Sequence, residues 1–383
     1  MPAEAFICTK SGKSNLPVEK SAKQPASGPF EKRYFTSIQI LRGVAALAIV
    51  LFHVSEMLLQ YTDGQGVFCR FAALWYTGAA GVDLFFVISG FVMVQSTAGA
   101  FGRKGAGVVF MTRRIIRIVP LYWMYTAIML LLVLLPFTLK THVFSASYTI
   151  KSLLFLPAIN PTHGLDLPLL PQGWTLSYEM YFYLLFTLLL FFEKRFFLPV
   201  ITAVFLPSAL VGLLFEIRDP LWKVVTSPLL LEFVFGCYLG RAVNHRTIAR
   251  RGSLLLILLA LFLLFQVRGV TIDDQTRLFL WGLPAMLLAA GCVFLEKQGM
   301  HHFPKALVKI GNSSYSIYLS HIFVVLGAGT LAKNKVLGDG LPNDLFALAV
   351  IVLCILTGHL SFRLVERPVS GVLLTLLSRS GNS

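Results

Sequence analysis

Charge is what this chain has least of. Only 13% of its 383 residues are Asp, Glu, Lys or Arg, and the 18 acids are outnumbered by 33 bases. A soluble domain carries about twice that share of charge, so a water-soluble globular class is excluded. Cys8, Cys69, Cys237, Cys292 and Cys354 form no close pairs in sequence, which argues against a disulfide framework or a clustered metal site, and no metal is expected. The N-terminal region lacks the short apolar core and small-residue cleavage site of a secretory signal, so no cleaved leader is expected. No internal repeat of the kind that builds transporters from inverted halves is visible.

Hydrocarbon takes the place of charge: 56% of the residues are hydrophobic and the mean hydropathy is +0.75. Apolar runs of about 20 residues recur, each long enough to cross a hydrocarbon layer about 30 Å thick as a helix. The expected architecture is all-α, a polytopic transmembrane bundle with about ten spans. They fall at 38–59, 80–97, 118–136, 173–192, 196–215, 228–243, 252–267, 277–295, 313–331 and 345–363. The run from Ile150 to Ile159 is too short to span and meets Pro157 and Pro161, so a loop or re-entrant turn is expected there. Residues 36–370 form the membrane domain, between a polar Lys-, Ser- and Pro-rich tail at 1–35, expected to be disordered, and a short tail at 371–383.

In a soluble chain a net charge of +15 would suggest nucleic acid, but here the bases sort by topology, and no nucleic-acid partner is expected. With the N-terminus inside, the tail and alternate loops hold 24 of the 33 Lys and Arg, and the opposite side holds nine. Positive charge is retained on the cytoplasmic side, so both termini are expected there. The densest cluster is Arg103, Lys104, Arg113, Arg114 and Arg117, read as a cytoplasmic loop.

The polar residues within the spans carry the functional information, because ionisable groups in a bilayer are costly and mark pathways or sites. Arg42 and His53 are eleven residues apart in the first span, almost three helical turns, so they share a face about 17 Å apart along the axis. Arg42 falls near the cytoplasmic side and His53 in the outer half. Asp83, Glu179 and Glu232 come out at similar depth to His53, which predicts convergence of four ionisable groups on one layer. An imidazole balanced between burial and a neighbouring carboxylate suits a general base. Each residue also has a bland reading. His53 can be a satisfied core histidine, Arg42 an interfacial anchor, Asp83 a helix cap, and Glu179 and Glu232 interhelical hydrogen-bond partners. His321, with Tyr318 and Ser314 on one face, can line a route or make a structural bond.

These segments resemble acyltransferase family 3 membrane proteins. The elements are Arg42 and His53 within IQILRGVAALAIVLFHV, GVDLFFVISGFVM at 81–93 and RRIIRIVPLYW at 113–123. GWTLSYEMYFY at 173–183, LLEFVFGCYLG at 230–240, SSYSIYLSH at 313–321 and Glu366-Arg367-Pro368 follow in order. Within that family the chain looks most like bacterial exopolysaccharide O-acetyltransferases. The resemblance implies a multi-pass protein of the bacterial inner membrane, embedded among membrane lipids. It also implies transfer of an acetyl or similar short acyl group from acetyl-CoA to a hydroxyl of an exopolysaccharide or lipid-linked glycan. Some relatives carry a further extracytoplasmic domain that this chain is expected to lack, so a second transfer step would fall to another protein.

On that reading His53, Asp83 and Glu179 are the catalytic candidates, with a carboxylate orienting the imidazole. Arg42, Arg113, Arg114, Arg117 and Tyr122 are the donor-binding candidates, since guanidinium groups bind phosphate with directed, charge-assisted bonds. Tyr122, Trp123 and Ser89 are candidate oxyanion donors. Direct attack assisted by His53 as base and a covalent acyl-His53 intermediate both fit the residues. A transporter or flippase is the rival class, and no oligomeric state follows from the sequence.

The charge asymmetry predicts that reporter fusions after Phe101, His245 and Ser383 report the cytoplasm and those after Gln65, His163 and Gly338 the exterior. The reverse pattern would overturn the assigned orientation.

Overall fold

The computed structural model describes residues 35–135, 145–300, 303–336 and 341–380. Among them there are helices and turns and no strand, so the all-α expectation holds. The disordered tail expected at 1–35 lies almost wholly outside the described residues.

The first helix, α1 (Thr36–Tyr61), is an apolar run without proline. Its leading amide groups have no intrahelical partner. Glu296 supplies one, accepting from the backbone N–H of Thr36 and of Ser37, each at 2.8 Å. A carboxylate at a helix N-terminus also meets the positive end of the helix dipole. Short turns at Val67–Arg70, Ala72–Tyr76 and Thr77–Ala80 lead into α2 (Gly81–Ser96). Then come α3 (Ala106–Leu134), α4 (Ala146–Leu153), α5 (Gly173–Leu189), α6 (Lys194–Leu214) and, after a short helix at Pro220–Val225, α7 (Leu230–His245). They are followed by α8 (Arg250–Gln266), a π turn at Leu278–Gly282, α9 (Leu283–Lys297), α10 (Lys305–Asn312) and α11 (Ser314–Lys333). The last are α12 (Asn343–Ser361), a π turn at Phe362–Glu366, and α13 (Arg367–Ser380).

Eight helical stretches among the described residues are long and apolar enough to cross a membrane. The fourth and seventh expected spans are α5 and α8, helices of 17 residues each. Three expected boundaries change. Helix α3 starts at Ala106, twelve residues before the expected span, after Gly105 in the left-handed region at φ 78°. Arg113, Arg114 and Arg117 therefore lie on a helix and not in a loop; arginine is a good helix former, although it lowers hydropathy. The segment expected as a loop from Ile150 includes the end of α4, which Ser145 caps by accepting from the Tyr148 N–H. Residues 367–380, mostly assigned to the tail, continue as helix α13 beyond the π turn.

Helices α2 and α7 meet through glycine. A side chain at Gly90 would overlap the Phe233 carbonyl, and one at Gly236 the Val87 carbonyl. Such close approach is how membrane helices gain packing where lipid supplies no hydrophobic drive. Gln95 Nε2 then donates to the Gly240 carbonyl at 2.9 Å across the same seam. The first and last spans are tied at one end by Asp344, which accepts from the N–H of Val67 at 2.9 Å and of Phe68 at 2.7 Å. Outward leucines and phenylalanines such as Leu255, Leu258 and Phe262 on α8 remain exposed, as lipid-facing side chains must.

Gly236→Val should therefore force α2 and α7 apart, costing about 1–3 kcal/mol, and lower the melting temperature in detergent. Gly327→Ala is the control, because an added methyl there meets nothing within 4 Å. Equal stability of the two variants would show that the crossing is not close-packed.

Candidate active site

Three arginines line one cavity of about 90 Å³ between α1, α2, α3, α5 and α11. Arg114 and Arg117 are three residues apart on α3 and share a face, while Arg42 enters from α1. Arg113, one residue from Arg114, is exposed on another face and does not line the cavity. Arg114 Nη2 donates to Ser96 Oγ at 3.3 Å, and its guanidinium carbon lies 5.3 Å from the Phe110 ring centre and 5.7 Å from that of Tyr183. Its Nε is buried without a partner. Stacking on rings suits a guanidinium, which is more weakly hydrated than an ammonium.

Carboxylates offset this charge from two sides. Glu179 on α5 accepts from Tyr183 Oη, one turn further along, and from Ser89 Oγ at 3.1 Å. Glu366, in the π turn after α12, accepts from Ser316 Oγ at 2.5 Å and lies within electrostatic reach of Arg42 and Arg117. The rest of the wall is largely apolar and aromatic. Tyr315 donates to the Ile118 carbonyl at 2.9 Å, and the Tyr318 hydroxyl lies 3.0 Å from Thr175 Oγ1 and donates to the Gln172 carbonyl at 3.2 Å. Three cations facing two carboxylates leave the cavity attractive to an anionic or electron-rich ligand.

His53 is not among the residues lining this cavity. Its ring stacks on His321, with centres 5.2 Å apart and planes at 29°, and rests against Phe52 at 4.7 Å. No hydrogen bond to the His53 imidazole is recorded among the described residues. His321 is fully buried, and its Nδ1 lies 3.2 Å from the Ile317 carbonyl. A carbonyl only accepts, so Nδ1 carries the hydrogen and Nε2 is a bare acceptor. That Nε2 has no partner. Tyr318, whose ring centre is 6.1 Å from that of His321, links the imidazole pair to the cavity wall.

The expected convergence of four ionisable groups on one layer does not occur. Asp83 binds Arg277 in bidentate fashion, Nε to Oδ1 at 3.0 Å and Nη2 to Oδ2 at 2.9 Å, and so does not orient His53. Glu232 packs beside Asp83, both fully buried. The Arg277 guanidinium lies 5.3 Å from the Trp174 ring centre and 5.0 Å from that of Trp281. Depth along a span fixes a residue's height but not the neighbour it faces: Asp83 and Glu232 open adjacent helices α2 and α7 and meet there. Glu179 belongs to the arginine cavity. Tyr122 is also displaced from its expected donor-binding place: its buried hydroxyl donates to the Ser152 carbonyl at 2.9 Å, and Trp123 Nε1 donates to the Leu153 carbonyl at 2.9 Å. Both hold the end of α4. Ser89 does line the cavity. Sequence reasoning missed Arg277, Tyr183, Tyr315 and Ser316 and gave Glu366 no role. The signals available were an arginine opening a span, two tyrosines inside quoted motifs and a carboxylate ending the last span.

Arg277→Met should be strongly destabilising, by about 3–5 kcal/mol, because it strands buried carboxyl groups without their cation. The double variant Arg277→Met/Asp83→Leu should recover part of that loss in thermal unfolding. Equal melting of the single variant and the wild type would show that the pair does not organise the helix ends.

A family model described as an acyltransferase domain matches residues 35–361. The exopolysaccharide production protein ExoZ of Rhizobium meliloti strain 1021 is 35% identical over 299 residues, covering 76% of this chain and 89% of that protein. Acyltransferase MdmB of Streptomyces mycarofaciens is 26% identical over 369 residues, covering 87% of this chain and 90% of that protein. O-acetyltransferase OatA of Staphylococcus aureus strain NCTC 8325 / PS 47 is 22% identical over 378 residues, covering 89% of this chain and 58% of that longer protein. No solved structure matches the chain. With the family model spanning nearly all of the helical body, the chain belongs to acyltransferase family 3 and is a multi-pass membrane acyltransferase.

Proposed function

We propose that the protein moves an acetyl or similar short acyl group from cytoplasmic acyl-CoA to a hydroxyl of an exopolysaccharide or lipid-linked glycan, in the bacterial inner membrane. The observation that carries this reading is the arginine cavity, with Arg42 on the same helix that brings His53 to the imidazole pair. The names of the relatives ExoZ and OatA support a polysaccharide acceptor and O-acylation.

Acetyl-CoA brings phosphate charge at one end and a thioester at the end of a flexible, largely uncharged arm. Arg42, Arg114 and Arg117 suit the anionic or polarised parts of that donor, because each can direct several N–H groups at one oxygen cluster. Arg113, exposed outside the cavity, suits nucleotide phosphates at its mouth. The unpartnered Arg114 Nε is a donor awaiting an acceptor. Tyr183 and Ser89, both bonded to Glu179, hold that carboxylate toward the arginines. His53 takes the proton of the acceptor hydroxyl as its oxygen bonds to the acyl carbon and the carbon–sulfur bond breaks.

The test uses protein in lipid discs, radiolabelled acetyl-CoA and isolated polysaccharide. Arg114→Gln/Arg117→Gln should weaken acetyl-CoA binding by about tenfold or more, since each charge-assisted bond is worth about 1.5–3 kcal/mol. His53→Gln should keep donor binding and lose transfer by about 10²-fold or more. Wild-type binding by the arginine variant would remove the donor site, and wild-type transfer by His53→Gln would remove His53 from the chemistry. Label crossing the membrane with no covalent product would favour a transporter.

A further inference from the structure

We propose that a row of aromatic side chains running from His53 to Trp174 is the platform on which the acceptor binds, and that the acceptor it fits is a chain of several sugar rings. The inference rests on the acyl-transfer reading above and deepens it by giving the acceptor a site. The row is continuous. Phe52 rests on His53 with ring centres 4.7 Å apart, Tyr76 meets Phe52 at 5.7 Å, and Trp281 meets Tyr76 at 5.9 Å. The Arg277 guanidinium then joins two indoles, 5.0 Å from the Trp281 ring centre and 5.3 Å from that of Trp174. Trp281 is buried, while Phe52, Tyr76 and Trp174 are half-buried and keep part of their surface open.

Helix ends bring these rings together. Trp174 is the second residue of α5, Trp281 lies in the π turn before α9, and Tyr76 closes one of the short turns that lead into α2. Glu296, near the finish of α9, binds the start of α1, so α9 begins at the end of the bundle where α1 finishes. The row therefore lies across that end, whereas Arg42 lies toward the start of α1. A donor held by Arg42, Arg114 and Arg117 approaches His53 from one direction along α1 and leaves the other to the second substrate.

The chemistry of the row suits a saccharide. A sugar ring has a C–H face that packs on an aromatic ring and a rim of hydroxyl groups that needs polar partners. A lipid chain would use the rings and leave the polar groups unpaired. Asp83 engages Nε and Nη2 of Arg277, and Nη1 makes no hydrogen bond among the described residues. The guanidinium is fixed by that pair, so its remaining donor loses little freedom when a ligand binds. At the other end of the row Glu56 lies nearly one turn beyond His53 and on a neighbouring part of the same face. It is exposed and makes no hydrogen bond or ion pair among the described residues. A guanidinium only donates and a carboxylate only accepts, whereas a sugar hydroxyl does both. Each step of the row is comparable in length to one sugar residue, so a single sugar would leave most of it uncovered.

The test uses protein in lipid discs, radiolabelled acetyl-CoA and a ladder of fragments cut from the isolated polysaccharide. Wild-type KM should fall as the fragments lengthen and then level off. Trp174→Ala and Tyr76→Ala should each raise KM for long fragments by about tenfold or more, the loss expected when a large aromatic anchor is truncated, with acetyl-CoA binding held within about twofold. Trp174→Phe keeps a ring and should recover most of the affinity. A KM independent of fragment length, or a wild-type KM for long fragments in Trp174→Ala, would overturn the proposal. Hydroxyl-radical footprinting of the wild type depends neither on variant folding nor on turnover. A long fragment should protect Tyr76 and Trp174 from oxidation, and unchanged oxidation of both in an active protein overturns the platform alone. Protection of both in a protein that transfers no acetyl group overturns the acyl-transfer reading and leaves the saccharide site standing.

Discussion

The helices that line the cavity are arranged around the cost of keeping three guanidinium groups in an apolar layer. Removing a single ion from water costs several kcal/mol even after the surroundings relax. Here the cost is met by carboxylates from separate parts of the chain. Glu179 comes from the middle of α5, and Glu366 from the π turn that ends the last span. Aromatic faces do the rest, with Phe110 and Tyr183 covering Arg114. Because no one helix supplies both signs, the cavity exists only when α1, α3, α5 and the end of α12 are assembled. The bundle and the candidate site are therefore the same set of interactions.

Helix α1 is the element on which position depends most. Its N-terminus is fixed by the Glu296 carboxylate, and the far end of the bundle is closed where Asp344 caps the turn after it. Between those ties Arg42 meets the cavity and His53 meets His321. An uninterrupted helix tied near both ends keeps the two groups about three turns apart.

Much of this was legible in the sequence, and the parts that were not share a cause. The all-α class, the location of the spans and the common face of Arg42 and His53 follow from hydropathy and helical period, which act along one chain segment. Partner choice across helices does not. Asp83, Glu179 and Glu232 sit at predictable heights, yet one faces Arg277, one faces the arginines and one faces Asp83. Hydropathy also misplaced the start of α3, because arginine depresses the index although it favours helix. The error hid the distinction that matters on that helix: Arg114 and Arg117 turn inward and Arg113 does not. Tyr122 sits in a motif beside them and still bonds the end of α4, since its side chain leaves the helix on a different side.

The separation of cations from imidazoles has a chemical consequence of its own. A guanidinium placed beside a general base would oppose the arrival of a proton, because the two positive charges repel in a layer with little screening. The arginines are gathered around the cavity, and the neighbours of the His53–His321 pair are neutral rings. Tyr318 stands between the two regions, its hydroxyl taken up by Gln172 and Thr175 and its ring turned to His321. The fold thus sets the guanidinium and the imidazole of α1 about three turns apart, with neutral aromatic side chains around the imidazole, so that neither charge nor dipole of one falls directly on the other.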